Sequence, residues 1–170
     1  MTEESGNGLT PSQPISPCLW FDRQALEAAE FYTSIFAESQ IDHIMRSGVD
    51  WPAGKAGDVV LVEFTLSGVA HQALNGGPGV DFNEAVSLSV NCRDQAELDR
   101  IWDALTAEGG APIQCGWLKD KYGLRWQLVP EAYWRMTHEG SPEQVQRVMA
   151  AMLDMVKMDV AKLKAAFEGA

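Results

Sequence analysis

The chain has 170 residues, 46 % of them apolar, which suits one domain with a packed core. Thirteen Lys and Arg stand against 24 Asp and Glu, a net charge of −11. With no basic cluster in that background, nucleic acid and anionic membrane surfaces are excluded as partners.

In chain order, residues 1–14 read as a flexible leader: the stretch "MTEESGNGLTPSQPISP" has acids where a signal peptide needs positive charge, and no apolar h-region follows. Cys18, Cys92 and Cys115 are widely spaced without a C-x-x-C, so they are expected to be reduced thiols in a cytoplasmic protein. "ISPCLWF" (Ile15 to Phe21) has strand composition, and Asp22 is expected to cap a helix whose stripe is Ala25, Ala28, Ala29, Tyr32, Ile35 and Phe36. Three strand-like runs follow, "SQIDHIMRS", "DVVLVEFTLS" and "GVAHQALNGG", divided by turn residues. This first module, 15–75, reads β-α-β-β-β.

After the hinge "NGGPG" the order recurs over 84–130. "EAVSLSVNC" is a strand, Asp94 with Glu97 suggests a capping box for a helix striped with Leu98, Ile101, Trp102 and Leu105, and "GGAPIQCGWLKD" and "KYGLRWQLVP" supply strands around a turn at Gly123. The fragments "GVAHQALNGG" and "GLRWQLVPEA" share a glycine, a ring and a glutamine at matching places, so Gln72 and Gln127 are equivalent positions on the last strand of each copy. The expectation is an α+β fold of two βαβββ modules making a curved mixed sheet, a half-barrel cleft with the two glutamines facing each other. Residues 131–170 form a C-terminal helical extension: "SPEQ" is a helix start, Val145, Val148, Met149, Met152, Met155 and Val156 are expected on one apolar face, and Asp159 caps a further helix with Val160, Leu163 and Phe167. That methionine-rich surface is expected to make a homodimer.

At "QCGWLKDKYGLRWQLVP", "NEAVSLSVNC", "ALNGGP" and "PCLWFDRQALEAAEFY" the sequence resembles the PhnB-like family of the vicinal oxygen chelate superfamily, which includes glyoxalase I, bleomycin-resistance proteins and extradiol dioxygenases. The resemblance spans about 15–130 and implies the paired-module, glyoxalase-like domain. In metal-dependent relatives each module gives one ligand from its first strand and one from its last. Those positions fall near Ser16 or Cys18, on or next to Gln72, near Ala85 or Ser87, and on Gln127, without the usual His and Glu. Neutral amides and hydroxyls do not neutralise a divalent ion, so no metal and no other cofactor is expected.

By alternation the cleft face carries Ser16, Cys18 and Trp20, then Gln72 and Leu74, then Ser87 and Ser89, then Arg125 and Gln127, with Trp117 as an aromatic wall. His71, one residue out of phase with Gln72, is expected behind the sheet, and no carboxylate or histidine is expected in phase with the cleft. These residues suit a metal-independent binder of a small molecule. The alternatives are a metal-dependent glyoxalase or lyase-like enzyme and the automatic family label, a 3-demethylubiquinone 3-methyltransferase. The label is disfavoured because "GGPG" sits in a Pro-containing hinge rather than in a strand-to-helix cradle.

Overall fold

The computed structural model describes residues 13–170, so most of the expected leader, 1–14, lies outside the described residues. The chain divides into two compact units, one ending at Val80 and one running from Asp81 to Ala170. In the first, β1 (Cys18–Phe21), α1 (Ala25–Ile35), β2 (Gln40–Arg46), β3 (Val59–Leu66) and β4 (Val69–Asn75) form a four-stranded sheet in the order β1-β4-β3-β2. β1 runs parallel to β4 and the other pairs are antiparallel.

Alternation sorts the side chains of this sheet. Val62, Phe64 and Leu66 of β3 and His71, Ala73 and Asn75 of β4 are buried on the side covered by α1, while Leu61, Glu63 and Thr65 and Ala70, Gln72 and Leu74 point the other way. The α1 stripe is Ala25, Ala28, Ala29, Tyr32 and Ile35, all buried. Three alanines let the helix backbone approach the sheet, and Tyr32 stacks on Phe64 with centroids 6.5 Å apart. His71 lies on this covered side, its ring 5.5 Å from that of Phe64 and its Nδ1 2.8 Å from the Val69 carbonyl.

The start of α1 differs from expectation. Asp22 does not cap it: the helix begins at Ala25 after Gln24, which makes no side-chain cap. The buried Asn75 does that work from the end of β4, its Oδ1 accepting from Ala25 N at 2.9 Å and its Nδ2 donating to the Val59 carbonyl at 2.9 Å. A local reading looks for the cap beside the helix, whereas here it lies 50 residues away. The hinge glycines are also explained by a distant partner. The Trp20 ring lies over Gly76, where a Cβ would stand 2.3 Å from ring atoms, and its Nε1 donates to the Gly77 carbonyl at 2.8 Å.

The second unit repeats the connectivity. β5 (Leu88–Cys92), α2 (Gln95–Thr106), β6 (Ala111–Pro112), β7 (Trp117–Lys119) and β8 (Arg125–Pro130) are ordered β5-β8-β7-β6, with β5 parallel to β8. The α2 stripe Leu98, Ile101, Trp102 and Leu105 is buried. Its capping box is displaced by one residue: Asp94 Oδ1 accepts from Glu97 N at 2.9 Å, but Glu97 Oε2 returns to Arg93 N rather than to Asp94 N. The β7–β8 hairpin is tied by the buried Asp120, which accepts from Tyr122 N, Leu124 N and Trp126 Nε1, with Gly123 at φ +87° completing the turn.

Three helices, α3 (Glu131–Glu139), α4 (Pro142–Leu153) and α5 (Val160–Glu168), complete this unit. Ser141 and Gln144 form the expected capping box and Asp159 caps α5. The expected single apolar face does not hold, because α4 ends at Leu153: Val148, Met155 and Met158 are buried, whereas Met149 is 47 % and Val156 50 % exposed. The chain beyond α4 is instead laced to the β6–β7 loop, with Cys115 N and Gly116 N donating to the Met155 and Val156 carbonyls at 2.8 and 2.9 Å. Together the units are an α+β fold of two four-stranded mixed sheets with helices, not closed into a barrel. No helix among the described residues is long and apolar enough to cross a membrane.

Because Asn75 holds both an α1 N–H and a β3 carbonyl, Asn75→Ala should cost about 2 to 3 kcal/mol, read as a lower urea midpoint with unchanged m. Asp22→Ala should stay within about 0.5 kcal/mol of the parent.

Candidate functional site

The pairing register of the first sheet sets its uncovered face in rows. Cys18 is opposite Gln72, Gln72 opposite Glu63, and Glu63 opposite His43, giving a polar row across all four strands. Two residues along, about 7 Å away at strand spacing, Trp20, Leu74, Leu61 and Met45 make an apolar row in the same order. Trp20 is 37 % exposed. A bulge between Ile41 and His43 lets Asp42 share this side, where it accepts from Thr65 Oγ1 and Gln40 Nε2, both at 2.7 Å.

Glu63 and His43 correct the expectation that no carboxylate or histidine is in phase with this face. Both lie on the middle and edge strands, outside the first and last strands from which relatives draw ligands. Glu63 in the middle of "DVVLVEFTLS", flanked by two residues of opposite facing, was the available signal. Using it needed the β3–β4 register. Glu63 and Gln72 are half-buried, and among the described residues neither side chain has a hydrogen-bond or ion-pair partner.

Ser16 precedes β1, so it continues the phase of Cys18 and Trp20 without being paired in the sheet. In the second unit Ser89 and Trp117 flank Gln127 in register, and Ser87 stands just before β5, donor and acceptor being joined there as Gln127 Nε2 to Ser87 Oγ at 2.7 Å. Arg125 shares the phase of Gln127, but its guanidinium is engaged: Nε and Nη2 donate to Glu84 Oε1 at 2.9 and 2.7 Å, and Nη1 to the Gly123 carbonyl. That pairing lowers the Glu84 carboxyl from its ordinary range.

The residues at the relatives' metal positions do not fit a divalent ion. Gln72 and Gln127 offer neutral amides, and Ser16 and Ser87 offer hydroxyls. The Cys18 thiol is pushed up by burial, away from the thiolate a metal needs. Among the described residues no three of His, Cys, Asp and Glu are grouped as a metal would require. Cys92 is pushed up to about 12, chiefly by burial. Alkylation of Cys18 should therefore climb only as the pH passes the ordinary thiol range, although the residue is exposed. Rapid modification at neutral pH, followed by peptide mapping, would contradict this.

A family model described as 3-demethylubiquinone-9 3-methyltransferase matches residues 13–129. A PhnB protein of Bacillus cereus carrying the same description is 35 % identical, covers 69 % of this chain and 99 % of its own, and superposes with a TM-score of 0.63. A Pseudomonas aeruginosa protein of known crystal structure is 22 % identical over 70 % of this chain and 98 % of its own, with a TM-score of 0.57. A glyoxylase/bleomycin resistance protein/dioxygenase domain from Frankia sp. is also similar, at 13 % identity, 70 % and 97 % coverage and a TM-score of 0.45. Comparison with curated proteins gave no match. With the family model covering both βαβββ modules to within a residue of the end of β8, the chain belongs to the PhnB-like family described as 3-demethylubiquinone-9 3-methyltransferase.

Proposed function

We propose that the chain is a small-molecule-binding protein that works without a resident metal, with candidate ligand-binding residues Ser16, Cys18, Trp20, Gln72 and Leu74 in the first unit and Ser87, Ser89, Trp117, Arg125 and Gln127 in the second. In this reading residues 15–130 are the ligand domain and 131–170 an extension. The observation that supports it most is Gln72: a half-buried amide whose side chain has no hydrogen-bond partner among the described residues, set in a polar row beside an apolar one, where a ligand can take its hydrogen bonds.

The methyltransferase label draws no support from these residues. A nucleotide-like cofactor is cradled by a glycine-rich turn between a strand and a helix, and the turns leading into α1 (Asp22 to Gln24) and α2 (Arg93 and Asp94) contain no glycine. Metal-dependent glyoxalase or lyase chemistry lacks charged ligands at the relatives' positions. Thermal melting with zinc, nickel, manganese or iron tests both points. The binder reading expects no shift that saturates at one ion per chain. A saturating shift that disappears in Gln127→Ala would restore the metalloenzyme reading.

The reading includes a homodimer and a reducing, cytoplasmic setting. The three cysteines are unpaired. On α4, Pro142, Val145, Met149, Ala150 and Leu153 line an open apolar groove of about 650 Å³, with Leu153 55 % exposed, more apolar surface than a lone helix face ordinarily leaves to water. Light scattering should give twice the chain mass at micromolar concentration, and Met149→Glu with Leu153→Glu should return it to one. A monomeric parent would end the dimer reading.

A further inference from the structure

Resting on the reading that the uncovered face of the first sheet is a binding surface, we infer that its ligand is a small amphipathic organic cation, an ammonium or guanidinium head joined to a hydrocarbon body. Glu63 recognises the head, and the row Met45, Leu61, Leu74 and Trp20 takes the body.

Glu63 sits mid-strand on β3, with β4 on one side and β2 on the other, between Val62 and Phe64, which point to α1. Its side chain is half-buried on the face away from α1. Half-buried acids in folded proteins are offset by a cation or by donated hydrogen bonds, since partial removal from water without either is costly. Glu63 has neither among the described residues. Its neighbour Gln72 is equally unengaged, and the Gln72 carbonyl oxygen adds a second acceptor beside it.

The surrounding charges point the same way. Asp42, on the same side, is met by the neutral donors Thr65 and Gln40, and no cation pairs with it among the described residues. On β2 the guanidinium of Arg46, at the strand end, donates to the Gly57 carbonyl, and in the neighbouring loop Lys55 pairs with Asp50 at 2.8 Å. His43 is the one basic-type side chain in the polar row, and no ion pair joins it to Glu63 among the described residues. The second sheet differs: its charges in phase are basic, Arg125 paired with Glu84 and Lys119 directly opposite Arg125 on β7. The chain's net charge of −11 favours a cation over an anion at long range as well.

The row spacing defines the shape. A charged head on Glu63 leaves a body of about 7 Å, two strand residues, to reach the Leu61–Leu74 pair and the exposed faces of Trp20 and Met45. An aromatic body can lie against the Trp20 indole, which is fixed by its hydrogen bond to Gly77.

The test is an NMR titration of the full chain with three probes of one shape: 4-phenylbutylamine, 4-phenylbutanol and 4-phenylbutanoate. We expect the amine to shift amides of both rows and to bind at least about tenfold more tightly than the other two, a charge-assisted contact's worth. Glu63→Gln should remove that preference, bringing the amine's affinity down to that of the alcohol. Gln72→Lys, which sets an ammonium beside Glu63 without touching it, should abolish amine binding too and covers the case in which the first variant misfolds. If the alcohol or the acid binds these rows as tightly as the amine, the cation inference falls and the binding reading stands. If none of the three shifts the rows, both fall.

Discussion

The fold depends on one constraint, the register between β3 and β4, because α1 seals one side of that pair and the register decides which side chains face the other. A slip of one residue would carry Gln72 into the alanine-lined contact with α1 and bring His71 and Asn75 out of it. Asn75 opposes such a slip: its amide joins the first N–H of α1 to the first carbonyl of β3, so helix start, strand end and sheet register are fixed by the same side chain. His71 adds to it from the same side. Burial lowers its pKa, so it sits there neutral and acts as a packing group against Phe64. The second unit meets the same need with Asp120, whose carboxylate gathers two turn N–H groups and the Trp126 indole and so fixes where β8 begins.

Much of this was legible in the sequence because it is local. The stripes of α1 and α2, the caps at Asp94, Ser141 and Asp159, the turn at Gly123 and the phase of Gln72 against His71 follow from spacing alone. The duplicated order of elements could be read from two similar ten-residue fragments. The resemblance to the PhnB-like family pointed the same way.

What escaped the sequence depends on distant partners. Asp22 looked like a cap because it sits where a cap should, yet a side chain on β4 outcompetes it. Gly76 reads as a hinge, and only the Trp20 ring above it shows why no side chain fits. The apolar run from Val145 to Val156 looked continuous, but helix α4 stops at Leu153 and the backbone after it is held by Cys115 and Gly116, which turns Met155 in and Val156 out. Glu63 and His43 needed the strand pairing, and their recognition changes the chemical character of the face from neutral to acidic.

Gln72 and Gln127 put neutral amides at equivalent places on the last strand of each unit, and in the first unit the amide lies on a half-buried face. Polar and apolar rows side by side on a sheet are suited to orienting one end of a molecule against the other. The central claim is that this surface holds an organic molecule in place of a metal. Native mass spectrometry of the untagged protein, released gently from its host, tests it most directly. The account expects an organic adduct that is lost in Gln72→Ala and no stoichiometric divalent ion; a bound metal at one per chain, or an adduct indifferent to Gln72→Ala, would contradict it.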